Sequence, residues 1–395
     1  MIQSPYGGDD MRDLGLRTLS IGAALLAATQ MAAAADLPVK VPVKSVEFNP
    51  FWAEADVLAW SVKGDRLPPL VTTSPVGAPL PGVLGVPTTT VLFGDSTVNG
   101  AWRPGGRLQG GYWFDPSRSR GVEASVFGLG DVSTSFNASS GILARPFFNA
   151  LTNAQDSAII ALPGVTSGSI AINETSRFYG AGALYRQDIG TFANMRISAL
   201  AGYRYLHVSD DLSIATQTTV VGGAGFIPVG TIFGVNESFR ASSDFHGVDL
   251  GLAGQWQRDR WTLEWRGKVA LGGNINNSSI NGTNAITLGG VTINSPGGLL
   301  ALPSNIGNAS QTRFAAVPEL SLKVGYQIAP QWRLFAGYDA LYWTDVQRAG
   351  GLIDTTVNPN LIPPGAPGGP QRPMPVFNTS ALWAQGFSFG VRYGY

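Results

Sequence analysis

The sequence predicts an all-β fold: a transmembrane, antiparallel, up-and-down β-barrel of about ten strands, with short periplasmic turns and long extracellular loops. Three observations lead there. Several segments alternate apolar and charged residues with a period of two. After Asp36 no apolar run approaches the roughly 20 residues that a spanning helix needs. The links between alternating segments are by turns very short and very long, as in outer-membrane barrels.

The alternation is clearest late in the chain. Trp261, Leu263, Trp265, Val269 and Leu271 fall on one side of a strand, against Glu264, Arg266 and Lys268. Leu320, Leu322, Val324 and Tyr326 oppose Glu319, Ser321, Lys323 and Gln327, and Phe387, Phe389, Val391 and Tyr393 oppose Ser388 and Arg392. Successive side chains of a strand point to opposite faces, so each pattern marks a two-faced strand. Strands are predicted at Phe51–Val62, Arg107–Phe114, Gly121–Leu129, Phe178–Arg186 and Met195–His207. Five more are predicted at His246–Gln257, Arg260–Leu271, Phe314–Ile328, Trp332–Thr344 and Trp383–Tyr395. These lengths suit tilted spans of about 9–11 residues. Tight turns are expected at Asp115–Arg120, Gln187–Ala193, Arg258–Asp259 and Ala329–Gln331. Loops of roughly thirty to fifty residues are expected to begin at Lys63, Val132, Ser209, Gly272 and Asp345, more than a compact soluble domain tolerates.

The N-terminus predicts export. Arg12 and Arg17 precede a short apolar run, Leu19–Ala28, and Ala33 and Ala35 supply an A-x-A site before Asp36. That is the pattern of a secretory signal peptide, with cleavage expected near Ala35. The domain plan is an N-terminal extension and signal peptide over 1–35, a short periplasmic segment over 36–50 and the barrel over 51–395. An exported chain without a helical anchor satisfies its backbone in lipid by closing a barrel. The expected location is the bacterial outer membrane, with the first strand running outward and the tight turns in the periplasm.

Composition excludes several functions. The formal net charge is zero and charged residues make up 13% of the chain, which argues against an electrostatic nucleic-acid binder with its basic stripe. There is no cysteine, hence no disulfide framework, thiolate metal site or cysteine nucleophile. Gly-x-Gly pairs lie in strand contexts and not before a helix, which argues against phosphate loops. No cofactor, metal or catalytic residue is expected.

The charges on the alternating strands are the best functional candidates. Glu54, Arg107, Glu123, Arg196, Arg204, Glu264, Arg266, Lys268, Glu319, Lys323, Asp339 and Arg392 are expected to face the lumen. An Arg or Lys facing lipid at mid-bilayer would cost roughly 2–4 kcal/mol. Trp261, Leu263, Trp265, Leu320, Leu322, Val324, Phe387 and Phe389 are expected to face lipid. The charges would either line a selective pore or neutralise one another in a filled barrel. Filling is plausible at this size because about eight strands leave room only for side chains. Gly-Tyr pairs at Tyr112, Tyr203, Tyr326, Tyr338 and Tyr395 read as interfacial girdles. His207 and His246, with Asp210, Asp211, Asp244 and Asp249 nearby, carry a remote alternative, an outer-membrane hydrolase. Apolar loop pieces at Ala144–Phe148, Ile159–Val165, Gly222–Val235 and Gly298–Pro303 are expected to form an extracellular cap or a partner surface.

A set of ordered landmarks carries a family resemblance. They include Leu70–Pro75 (LVTTSP), Thr90–Asp95 (TVLFGD), Gly105–Asp115 (GGRLQGGYWFD), Arg145–Ala150 (RPFFNA), Gly297–Gly307 (GGLLALPSNIG) and Trp383–Tyr393 (WAQGFSFGVRY). From about Phe51 to Tyr395 the chain resembles the putative beta barrel porin-7 family of bacterial outer-membrane proteins. The resemblance implies fold and location and carries no catalytic or ligand residues. Two functions stay open: a structural or surface-interaction barrel with a filled or capped lumen, and a small passive porin-like channel for ions or small solutes. Expected partners are outer-membrane lipid and lipopolysaccharide, and the outer-membrane assembly machinery during biogenesis.

Overall fold

The structure, a computed structural model, describes residues 48–139, 141–223, 225–365 and 368–394. The expected signal peptide, its cleavage site, most of the 36–50 segment and Tyr395 lie outside the described residues. Ten strands form a ring: β1 (Phe51–Val62), β2 (Trp102–Trp113), β3 (Arg120–Leu129), β4 (Thr166–Phe192), β5 (Met195–Val220), β6 (Ile232–Arg258), β7 (Trp261–Leu288), β8 (Gly307–Ala329), β9 (Trp332–Gln347) and β10 (Thr379–Tyr393). Each pairs antiparallel with the next. The ring closes where β1 meets β10, from Ala53 opposite Tyr393 to Val62 opposite Ala384. On the turn side closure pairs each strand with both neighbours, which is what lipid requires of a spanning sheet, while Gly307–Pro318 of β8 has a ladder to β7 only.

Each of the ten predicted strands falls on one of these ten, to within a residue or two at its ends, but the lengths need correction. Instead of about 9–11 residues, β4 to β7 run 27, 26, 27 and 28 residues. Two of the expected long loops therefore shrink. The link after β5 is residues 221–231, and the link after β7 is residues 289–306, whose Val291–Pro296 folds back on β7. The extensions are rich in Ser, Asn, Thr and Gly, which read locally as loop. They are strands because each extension is paired along its length with the neighbouring strand of the meander, and β structure follows such context more than intrinsic preference. The turn after β4 is also tighter than expected. It is Ala193-Asn194, both with positive φ (49° and 62°), the geometry of a two-residue hairpin turn.

The outward face divides the wall into two zones. On the turn side it is apolar: Val57, Leu108, Val248, Leu250, Leu320, Leu322, Val324, Phe387 and Phe389 are exposed. Leu263 and Trp265 share this face but are half-buried. Trp265 lies over the position where Gly254 lacks a side chain, and its Nε1 points to Met195 Sδ at 2.9 Å. Farther along, the outward residues of β4 and β5 become Thr175, Asn173, Ser209, Asp211 and Ser213, and those of β7 become Asn277, Ser279 and Asn281. Between the zones sits a girdle of Tyr179, Tyr203, Tyr205, His207 and His246. The apolar zone suits hydrocarbon, and the polar extension stands beyond it.

The extension is filled by the remaining links. Strands 143–149, 154–161, 71–73 and 90–93 form a separate sheet, joined in parallel by Thr356–Val357. Its apolar residues pack with Leu299–Leu302 and Leu352 against Ile170, Ile172, Leu212, Ile214, Phe239 and Ile280 of the wall. Three of the four apolar loop pieces thus build a cap core. Gly222–Val235 does not: Phe226, Ile227 and Val229 are exposed at its tip. The cap is tied to the wall by Glu237, whose Oε1 accepts from the backbone N–H groups of Leu299 (2.7 Å), Leu300 (2.6 Å) and Ala301 (2.9 Å). The same carboxylate pairs with Arg145 of the inner sheet at 2.5 Å.

Spin labels check this zoning. Labels at Leu263→Cys and Leu322→Cys in reconstituted protein should be relaxed by oxygen dissolved in lipid and not by a water-soluble reagent. A label at Asn277→Cys should show the reverse. Protection of positions 263 and 322 from both reagents would mean a dry protein core, as between two packed sheets.

Candidate functional site

The barrel interior is the candidate site, and its charges meet across the ring. Arg266 of β7 grips Glu123 of β3 with two bonds, 2.7 and 3.2 Å. Those strands stand four places apart around the ring, so the pair spans the inside. Arg107 of β2 donates to Asp56 of β1 at 2.9 Å and to both oxygens of Asp339 on β9 at 3.2 Å. Arg204 of β5 meets Glu319 of β8 at 2.8 Å, and Lys268 of β7 meets Asp249 at 3.1 Å and Glu319 at 3.4 Å. Lys323 of β8 bonds Glu54 of β1 and lies 3.4 Å from Asp56. Arg392 of β10 bonds Glu54 at 2.6 Å and clasps Glu264 of β7 at 2.6 and 3.0 Å; Arg333 reaches Glu264 at 2.8 Å.

In this layer each named cation has a named carboxylate. Long side chains suit the task, since Arg, Lys and Glu can meet across a ring slightly wider than one that short side chains fill. Little space is left: a cavity among Arg107, Glu123, Arg204, Lys268, Glu319 and Lys323 measures about 40 Å³, room for about one water.

Of the twelve residues expected to face the lumen, eleven join this cross-ring layer. Arg196 does not. Its side chain is 40% exposed at the turn-side mouth, where it pairs with Asp188 at 2.9 Å. It lies at the last turn of the barrel, where alternation continues but the ring no longer encloses the side chain. Asp56, Asp249 and Arg333 belong to the layer and were missing from the sequence reading of it. Asp56 is two residues from Glu54 and Arg333 six from Asp339, so the period of two contained the signal.

Above the ion pairs lies an apolar layer that sequence reasoning did not find. Leu58, Trp60, Phe127, Phe178, Leu206, Phe245, Leu341 and Trp343 are buried together inside the ring. Trp343 meets Phe178 and Phe245 with ring centroids at 6.4 and 6.2 Å. Above that, beyond the girdle, comes a second polar layer. Asp65, Glu174 and Asp210 converge, each buried, with carboxylate oxygens within 4.8 Å of one another. Arg348 bonds Asp210 and donates to Lys63 O at 3.0 Å; Asp65 accepts from the Gly350 N–H at 2.6 Å; Asn99 donates to Glu174 at 2.5 Å. Burial, then the neighbouring Asp210 and Asp65, pushes the Glu174 carboxyl up to about 8. Burial and Asp210 likewise raise Asp65 to about 6.

The histidines stand elsewhere. His207 Nδ1 lies 2.7 Å from Asp244 Oδ1, and its ring stacks on Tyr179 at 4.7 Å. His246 bonds the Tyr203 hydroxyl. Both are on the outward face. The acids grouped with them by sequence are split: Asp211 and Asp244 point outward, Asp210 and Asp249 inward.

A family model described as Putative beta barrel porin-7 matches residues 52–395. The chain belongs to that family. Membership places the barrel in the bacterial outer membrane. No curated protein matches the sequence. Among solved structures this family member is similar to the outer membrane protease OmpT from Escherichia coli, at 10% identity and a TM-score of 0.40, covering 89% of this chain and 99% of that one. It is also similar to the P. putida toluene transporter TodX (8% identity, 88% and 90% covered, TM-score 0.19). A third is an anion-selective porin from Comamonas acidovorans (9% identity, 87% and 98% covered, TM-score 0.15). Likenesses this distant carry no argument about activity. Several segments that carry the family resemblance, around Leu70–Thr73, Thr90–Phe93, Arg145–Asn149 and Leu299–Leu302, build the cap and not the ring.

Two measurements test the layers. Lys323→Ala removes the cation that joins Glu54 to Asp56 and should cost about 3 kcal/mol, the low end for breaking a buried pair because Glu54 keeps Arg392. Denaturant unfolding in detergent reads this; unchanged stability with altered ion conductance would favour an open pore. For Glu174 the folded pKa lies above the usual 4.5, so the folded state holds a proton that the unfolded state releases. Its contribution is full below pH 4.5 and is lost as pH rises through about 8. Glu174→Gln should abolish the loss of stability between about pH 6 and 8, leaving the smaller loss due to Asp65, complete by about pH 6. An unchanged pH profile would contradict this.

Proposed function

We propose that this porin-7 family member is a closed outer-membrane barrel with a structural or surface-interaction role, not a conduit. The observation that carries the reading is the stack of interior layers: ion pairs, aromatic core, buried acid cluster and apolar cap. A passive solute would have to separate charge pairs in one layer and a packed apolar core in the next. The cap and its exposed tip, Phe226, Ile227 and Val229, with Val291 and Ile293 on the adjoining hairpin, give the extracellular end the surface with which such a barrel would work. Lipid and lipopolysaccharide would surround the apolar zone, and the alternating aromatics of β10 fit recognition by the assembly machinery.

We assign no catalytic role to the histidines. The His207–Asp244 pair is held among tyrosine rings on the outward face of the wall, and geometry comes first in such an assignment.

Planar-bilayer recording of the purified mature barrel tests the proposal. The expected result is no discrete conductance steps. Steady unitary openings would replace this reading with the passive channel, and peptide hydrolysis abolished by His207→Ala would replace it with an enzyme.

A further inference from the structure

The periplasmic mouth holds a second feature that the closed lumen does not explain. Six arginines, Arg118, Arg186, Arg196, Arg266, Arg333 and Arg392, line one cavity of about 340 Å³ on the turn side, and among the described residues that line it there is no Asp or Glu. Most of these cations are already engaged from behind: Arg266 by Glu123, Arg392 by Glu54 and Glu264, Arg333 by Glu264, and Arg196 by Asp188. Arg186 is different. Among the described residues its guanidinium has no salt bridge, and its Nε is buried without a hydrogen-bond partner.

Two tryptophans hold the arginines in place. Arg186 lies over the Trp113 ring at 5.4 Å, and Arg392 over Trp52 at 5.3 Å. A guanidinium laid on an aromatic face is stabilised by the ring quadrupole, and it keeps its N–H edge free for an acceptor. Arg196 is also tethered, donating to Ser117 O at 2.8 Å. The result is a set of fixed donors converging on one open cavity, in which Arg186 has no carboxylate partner among the described residues.

We infer that this vestibule binds a compact, multiply charged oxyanion, a phosphate or pyrophosphate group, from the periplasmic side. Guanidinium forks match the geometry of phosphate oxygens and bond them in pairs. The volume suits a small ligand or the charged end of a larger one. The ligand does not cross the barrel, because the ion-pair layer lies directly behind the site. The inference is therefore independent of any solute passage.

Isothermal titration of the mature barrel in an uncharged detergent, with inorganic pyrophosphate at low salt, tests it. Saturable binding to the wild type is expected, weakening as sodium chloride screens the site. Arg186→Gln should weaken it at least about tenfold, the loss of one charge-assisted contact. Arg186 makes no salt bridge in the interior layer, so the variant should stay folded, its unfolding midpoint lowered by no more than the lost Trp113 contact. Arg177→Gln, at an exposed arginine beyond the girdle, should leave binding unchanged. A second titration with a sugar phosphate separates the sources: binding there as well means that the site takes a terminal phosphate on a larger molecule, and binding of pyrophosphate alone means that it takes the free ion. No binding to the folded wild type, or equal binding by Arg186→Gln and wild type, would overturn the inference, whatever the bilayer recording shows.

Discussion

A charge inside a narrow ring of strands that side chains fill has little water to solvate it, and its main stabilisation is an opposite charge inside the same ring. Bulk water is absent on the outside, and a closed sheet offers its backbone groups to neighbouring strands and not to the lumen. The desolvation of each ion costs several kcal/mol, offset only by good geometry with an opposite charge. That requirement explains why Arg266 crosses to Glu123 and Arg107 to Asp339. It also explains why Glu54 and Glu264 each serve more than one cation. The barrel is held to its diameter by these cross-members as well as by its ladder.

The rest of the architecture follows from the same constraint. Because charges must face inward, the period of two sends Leu320, Leu322, Phe387 and Phe389 outward to lipid. A register slip of one residue would reverse both faces at once. Where the wall rises beyond the girdle, lipid no longer constrains the outer face, so Ser, Thr and Asn take it over. The interior there still needs filling, and the links fold back to supply Leu143, Phe147, Leu299–Leu302 and Val357. Where the ring opens at its other end, pairing is no longer compulsory, and Arg186 can stand without a carboxylate.

The sequence made the ring and its faces legible because alternation of Trp, Leu and Val with Glu, Arg and Lys is a local signal. Glu264, Arg266, Lys268, Glu319 and Lys323 could be placed from their own strands. Which of them meet could not be read, since Arg266 and Glu123 are distant in sequence and share only the geometry of the closed ring. The inner aromatic layer was invisible for a related reason. Trp60 and Trp343 share the parity of inward charges, yet in a rule that sends apolar residues to lipid they carry no mark of being inside. The long extensions of β4 to β7 were hidden because their Ser- and Asn-rich faces look like loop until the neighbouring strand is known. Arg196 stands outside the ion-pair layer, and the Gly222–Val235 tip outside the cap core, because position along the barrel axis, not face, decides their surroundings.

The central claim is that opposite walls are coupled through the lumen, and a double-mutant cycle on Glu123 and Arg266 measures it most directly. Unfolding free energies of Glu123→Gln, Arg266→Gln and the double variant give the interaction of two strands that share no ladder. The account predicts a coupling within roughly 0.5–3 kcal/mol and favourable, as for residues in one buried network. Additive effects with no coupling would mean that the two side chains do not meet and that the lumen between them is open to water.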